Sequence, residues 1–235
     1  MISILQYLLA PYFKEPEPFK FKKYFSYIFK AYLLTILGIA VSGMLILLID
    51  PYISRVVDTK SILADFRKAD NNLFKAYGNF TFLIVCLIVP IVEESIFRLP
   101  LTLRKNAFAV SFGILFYRFS GTSFFKVSLT ELATYLRLFG TILIYIISFK
   151  LIHDRLLLKF KENSFRILFW GSAFLFGIVH ISNNNNINLL FLPLYIIYII
   201  PQFILGLTLG AVRVNIGFWG AVILHSLVNF ISFVL

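Results

Sequence analysis

Charged, imidazole and amide side chains interrupt three segments of the chain that are otherwise strongly apolar. These residues are Glu93, Glu94, Arg98, His180, His225 and Asn229. An ionisable group inside a membrane-spanning segment costs about 2.5–3.5 kcal/mol on insertion scales, so such a group usually marks a functional site. The sequence therefore predicts that chemistry, if the protein performs any, takes place among these six residues.

The spacing of these residues predicts which of them face the same way. Glu94 and Arg98 are four residues apart, so on a helix they share a face and can form an ion pair. Glu93 is five residues from Arg98, about 140° around the helix, and is expected to point elsewhere. A spacing of four also joins Phe176 with His180, and His225 with Asn229.

One available carboxylate, two imidazoles and an amide support two kinds of hydrolytic site. In the first, Glu93, His180 and His225 bind zinc, which activates a water molecule. In the second, without metal, Glu93 acts as a base on water while imidazole and amide groups stabilise an oxyanion. A third interpretation is a polar network that locks helices together and performs no chemistry. The spacing alone does not choose between them.

The sequence lacks the signatures of other membrane proteases. It has no H-E-x-x-H zinc motif and no G-x-S-x-G serine motif. No aspartate is expected well inside a clear span, because Asp50 is expected to end the first one. A mechanism with two aspartates is therefore unsupported.

The elements that must position these residues are membrane helices. Hydrophobic residues make up 60% of the chain and charged residues 14%, against about 45–50% and 25% in soluble globular proteins. This composition excludes a soluble globular, disordered or fibrous protein and predicts an all-α, polytopic transmembrane bundle. Because isolated polar groups facing lipid would be costly, Glu93, His180, His225 and Asn229 are expected to line one polar intramembrane cavity. The formal net charge of +11 fits cytoplasmic loops and anionic lipid headgroups, and we expect no nucleic acid partner.

Segment length predicts about six to eight membrane segments. Two or three further apolar stretches are doubtful spans, and we expect 106–119, which is short for a span, to be re-entrant or to lie at the surface. Pro51 is expected to end the first helix at Asp50, while Pro193 and Pro201 are expected to break another. The five clear spans are 28–49, 79–101, 132–152, 189–209 and 216–235.

Three short motifs, in order, resemble those of one protease family. Residues 93–98 fit E-E-x-x-x-R, residues 176–180 fit F-x-x-x-H, and residues 225–229 fit H-x-x-x-N. The pattern resembles the CAAX protease and bacteriocin-processing (CPBP, or Abi) family, which includes the type II CAAX prenyl endopeptidases. The resemblance covers a core at 80–235 and leaves 1–79 as an interfacial segment, a first transmembrane helix and a polar connection.

Two features depart from the family pattern. Leu99 and Pro100 follow the motif arginine, where a glycine is common, so the helix is expected to continue differently. In addition, 86 residues separate Glu93 from His180, which is an unusually long insertion between the first two motifs.

The resemblance implies an intramembrane endopeptidase in which Glu93 and His180 activate the hydrolytic water. His225 and Asn229 would complete the site as an oxyanion hole, while Glu94, Arg98 and Phe176 would orient it. The implied partners are membrane lipids and a peptide or protein substrate, either a prenylated CAAX-type end or a leader peptide. The use of zinc stays open.

The implied location is the cytoplasmic membrane of a bacterium. Two other functions remain for the same residues. One is a non-catalytic scaffold or immunity protein of the same fold, and the other is a proton-coupled transporter.

Overall fold

The computed structural model describes residues 4–16, 18, 20–58, 61–64, 78–121, 131–183 and 189–234. Throughout these ranges the regular structure is helical, and none of these residues forms a β-strand. The helices are α1 (Ile4–Leu9), α2 (Phe21–Val57), α3 (Gly78–Phe97), α4 (Lys105–Phe119), α5 (Leu132–Leu151), α6 (Asp154–Lys159), α7 (Phe165–Val179), α8 (Leu192–Asn215) and α9 (Phe218–Val234).

Four of the described helices are long and apolar enough to cross a membrane: α2, α3, α5 and α8. Two shorter apolar helices, α7 and α9, have 15 and 17 residues. The protein is therefore an all-α, polytopic helical bundle, as the sequence predicted. The ambiguous stretch 106–119 forms α4, a 15-residue helix that packs along α5.

The first spanning helix is longer than predicted. Asp50 does not end α2, which includes Pro51 and continues to Val57. The preference of a residue before proline for extended backbone is outweighed here by hydrogen bonds to the buried Asp50 carboxylate. Its donors are the hydroxyls of Ser54 (3.2 Å), Ser61 (2.8 Å) and Tyr198 (2.7 Å) and the main-chain N–H of Leu63 (3.1 Å).

This cluster also corrects a second expectation, because an aspartate does lie within a candidate spanning helix. Each Asp50 oxygen accepts at least one hydrogen bond, as a buried carboxylate requires. The cluster joins α2 to the Tyr198 segment of α8 and to the chain that follows α2. The Asp50 cluster therefore has a structural role, because it holds these segments together.

Helix α8 lies at the centre of the bundle and packs against α2, α7 and α9. The predicted breaks are confirmed: Pro193 and Pro201 each begin an α-helical piece, and a 3₁₀ turn, Ile196–Ile199, lies between them. Gly206 and Gly210 face α7 closely, since a Cβ at Gly206 would lie 3.0 Å from the Ala173 carbonyl oxygen. Small residues four positions apart thus allow a close contact between α8 and α7.

Helix α2 belongs to the same hydrophobic core as the rest of the bundle. Its Tyr27 and Ala31 pack in one buried cluster with Leu205 and Leu209 of α8. A buried hydrogen bond of 2.7 Å between the hydroxyls of Thr35 and Thr208 joins the two helices.

Candidate active site

The carboxyl-terminal end of α3 carries the first motif and is fixed by side chains from two other helices. Helix α3 ends at Phe97, and Pro100 then lies in a 3₁₀ turn, Leu99–Thr102. A proline at position 100 has no N–H to donate to Ile96 four residues earlier. The Ser111 hydroxyl of α4 donates to the Ile96 carbonyl instead, and Ser172 of α7 donates to the Phe97 carbonyl (2.5 Å).

The predicted change after the motif arginine is therefore real, and it has a structural consequence. Because α3 stops within four residues of Glu93, its last carbonyls become acceptors for α4 and α7. These bonds hold the acidic pair in a fixed position relative to both helices.

His225 of α9 lies between the two glutamates of α3. Its Nδ1 is 3.0 Å from Glu94 Oε1, a hydrogen bond, and its Nε2 is 3.7 Å from Glu93 Oε2. A carboxylate oxygen accepts this hydrogen bond, so Nδ1 carries a proton, and Nε2 is directed toward Glu93. This contact joins residues 131 positions apart, and the helical spacing of the motifs did not reveal it.

Glu94 and Arg98 form the buried ion pair that their spacing predicted. Arg98 Nε is 3.6 Å from Glu94 Oε2, and both side chains are fully buried. The separation is too long for a hydrogen bond. The Arg98 guanidinium also lies 4.5 Å from the centre of the Phe176 ring, a cation–π distance. Its charge is thus balanced by a carboxylate and an aromatic face.

Phe176 connects both histidines with Arg98. Its ring lies 4.7 Å from the His180 ring and 5.7 Å from the His225 ring, between centroids. Its main-chain carbonyl accepts a hydrogen bond of 2.7 Å from His180 Nδ1. Since a carbonyl cannot donate, His180 carries a proton on Nδ1, and its Nε2 is the nitrogen left for proton transfer or ligation.

His180 is connected to the glutamates indirectly, through Phe176. It ends α7 and begins the 3₁₀ turn His180–Asn183. Among the described residues, no hydrogen bond or ion pair joins it to Glu93, and the Phe176 ring contacts both imidazoles. The geometry therefore groups Glu93, Glu94 and His225 directly, with His180 attached through Phe176.

Asn229 lies one turn after His225 on α9 and is held by α3. Its Nδ2 donates a hydrogen bond of 2.9 Å to the main-chain carbonyl of Val85. Because a carbonyl only accepts, this bond also identifies which end of the amide faces α3. The second hydrogen on Nδ2 remains for another acceptor.

The two neighbouring carboxylates differ in their access to solvent. The Glu93 side chain is 23% exposed, whereas that of Glu94 is fully buried and that of His225 is 3% exposed. Glu93 is therefore the carboxylate that is partly accessible from outside the protein, and Glu94 is the one enclosed by it.

The three candidate metal ligands do not form a metal site. Zinc sites in enzymes use three protein ligands that converge on one point. Glu93 and His225 approach each other, but no group of three histidine, cysteine, aspartate or glutamate side chains converges in the part of the chain that the structure describes.

Sequence reasoning missed several residues around this site. Arg213 of α8 is buried and lies within electrostatic reach of Glu94. Its position in the sequence, near the end of a spanning helix, was the available signal. Ser111 and Ser172 were also missed, since a single serine in an apolar helix gives no indication of its partner.

Comparison with models of protein families identifies a relationship for most of the chain. The family model described as "Type II CAAX prenyl endopeptidase Rce1-like" matches residues 76–231, and this range contains all three motifs. No curated protein and no solved structure matches the chain.

Proposed function

Because the chain belongs to the Rce1-like family of type II CAAX prenyl endopeptidases, we propose that it hydrolyses a peptide bond within the membrane, using a water molecule activated by Glu93. The observation that carries this proposal is His225 between two carboxylates of unequal exposure. An enclosed carboxylate orients the imidazole through Nδ1, and an accessible one lies 3.7 Å from Nε2.

Glu93 is the base in this mechanism. It takes a proton from water as the water oxygen attacks the carbonyl carbon of the scissile bond. The proton then passes to the leaving amine nitrogen, so that the products are a carboxylic acid and an amine. A positioned base of this kind contributes about 10²–10⁴-fold to the rate. His180 assists through Nε2, since its Nδ1 is engaged by the Phe176 carbonyl.

Asn229, through the second hydrogen of Nδ2, and His225, with Nε2 protonated as well as Nδ1, stabilise the negative charge that develops on the carbonyl oxygen. The Nδ1–H···Glu94 bond holds the His225 ring, and the Val85 carbonyl holds the Asn229 amide. Both groups are fixed before the reaction, so little reorganisation is needed in the transition state. Arg98 acts indirectly by balancing the charge of Glu94.

The substrate we propose is the carboxyl-terminal region of a prenylated protein. The description of the family supports this choice, and a lipid-modified peptide partitions into the bilayer beside the exposed apolar faces of α2 and α5. A leader peptide of similar hydrophobicity is the alternative substrate.

Cleavage of synthetic peptides by the purified protein tests the proposal. The assay compares a farnesylated CAAX peptide, the same peptide without the lipid, and an apolar leader peptide, each analysed by mass spectrometry. We expect cleavage of the farnesylated peptide and a loss of at least about 10²-fold in Glu93→Gln. Glu15→Gln, a substitution at an exposed glutamate, is the matched control and should retain activity.

Two outcomes would contradict the mechanism. A Glu93→Gln protein that cleaves at the normal rate would exclude Glu93 as the base. A protein that binds detergent micelles, melts cooperatively and cleaves none of the three peptides would favour the scaffold function.

A further inference from the structure

Helix α3 contains a turn of wider, π-helical geometry at Ile84–Ile88, just before the acidic pair. The N–H of Val89 donates to the carbonyl of Ile84, five residues earlier, where a regular α-helix would direct it to Val85. Such turns are rare and often occur at functional sites. The π-helical turn in α3 changes the hydrogen bonding of the Val85 carbonyl, which accepts a hydrogen bond from Asn229.

Pro90 explains why the Val85 carbonyl is available. In a π-turn the carbonyl of Val85 would accept from the N–H of residue 90, and proline has none. In a regular α-helix the donor to Val85 would be the N–H of Val89, but this N–H donates to the Ile84 carbonyl. Neither main-chain donor thus serves Val85, and the Asn229 amide of α9 supplies a hydrogen bond of 2.9 Å in their place.

The consequence for the site follows from the chemistry of the amide. Without a strong acceptor at Val85, the oxygen and nitrogen of the Asn229 side chain could exchange places. With it, the nitrogen is fixed, and its second hydrogen is held for another acceptor. His225, one turn earlier on the same helix, lies beside Glu93 and Glu94.

We propose that Pro90 is a positioning residue, which keeps the Val85 carbonyl free so that it holds the Asn229 amide with an N–H directed at the reacting carbonyl oxygen. This inference rests on the proposed function for its effect on rate. The hydrogen-bond linkage between Pro90 and Asn229 exists independently of that function.

The test restores an N–H at position 90. In Pro90→Val the new donor lies five residues after Val85 and competes for the same carbonyl, while the buried side-chain volume is nearly kept. We expect kcat to fall about tenfold with KM unchanged, less than the 10²–10³-fold lost when an oxyanion donor is removed. Pro51→Ala, a proline substitution inside α2, is the matched control and should leave kcat unchanged.

A double-mutant cycle separates positioning from general damage. If Pro90 acts through Asn229, Pro90→Val should have no further effect on kcat in an Asn229→Ala background. Effects that multiply independently would overturn the proposal. When the same cycle is measured by melting temperature, the shifts of the two single variants should add up to more than the shift of the double variant.

The two cycles distinguish failure of this inference from failure of the proposed function. Coupled melting temperatures in a protein that cleaves nothing would retain the linkage and reject the protease. Active protein with additive melting temperatures and rates would reject the role of Pro90. If Pro90→Val does not fold, a high-resolution structure of the wild-type protein in a nanodisc decides: a Val85 carbonyl bonded to the Val89 N–H would overturn the proposal.

Discussion

Removing one partner of the buried pair of Glu94 and Arg98 should cost far more stability than removing one partner of an exposed pair of almost equal length. Arg98 Nε and Glu94 Oε2 are 3.6 Å apart with both side chains fully buried. Arg104 and Glu15 are 3.8 Å apart at the surface, with side chains 72% and 67% exposed. The distances nearly match, so the two pairs differ chiefly in burial and in the hydrogen bond that Glu94 also makes to His225.

Removing one charge from each pair should therefore give different results. Glu94→Gln leaves the Arg98 charge without its carboxylate, and breaking a buried pair costs about 3–5 kcal/mol. For a chain of this size that loss lowers the melting temperature by roughly 6–20 °C. Glu15→Gln should cost no more than about 1 kcal/mol, because solvent screens exposed pairs. Thermal unfolding in detergent measures both variants.

A compensating variant identifies the cause of the loss. Replacing both partners, as in Glu94→Gln with Arg98→Met, removes the stranded charge, and such replacements are often neutral. We expect the double variant to recover most of the melting temperature. Equal, small shifts for Glu94→Gln and Glu15→Gln would refute the reasoning. Failure of the double variant to recover would assign the loss to the Glu94–His225 hydrogen bond instead.

Two further predictions concern helix packing and metal dependence. Gly206→Ala should destabilise the protein by about 1–3 kcal/mol, because the added Cβ meets the α7 main chain at Ala173, whereas Gly43→Ala, with no atom within 4 Å, should not lower the melting temperature. Incubation with 1,10-phenanthroline should leave peptide cleavage unchanged, because Glu93, His180 and His225 do not converge as zinc ligands; loss of activity restored by added zinc would contradict this geometry.

Helical periodicity predicted the contacts within a helix but not those between helices. The Glu94–Arg98 pair follows from a spacing of four. The spacing of four also places Phe176 and His180 on one face, and their rings do lie together. In addition, His180 Nδ1 donates a hydrogen bond to the main-chain carbonyl of Phe176. The bond from Glu94 to His225 depends on how α3 and α9 pack, which no local spacing specifies.

Local rules for proline succeeded or failed according to their surroundings. Pro193 and Pro201 break α8 as expected, since each begins a new helical piece. Pro51 does not end α2, because the hydrogen bonds to Asp50 stabilise the helix across the proline. A rule based on two adjacent residues cannot include donors that come from 148 positions away, as Tyr198 does.

The first motif lies between two prolines, and both act by withholding a main-chain donor. Pro90 leaves the Val85 carbonyl to Asn229 of α9, and Pro100 leaves the Ile96 carbonyl to Ser111 of α4. A regular helix would use both carbonyls internally and offer its neighbours only side chains. Here the main chain on each side of the acidic pair is bound by another helix, so rotation of α3 about its axis would break hydrogen bonds at both ends. The orientation of Glu93 toward His225 is thus fixed by the backbone, and substitutions at either proline should disturb it even though neither side chain carries a charge.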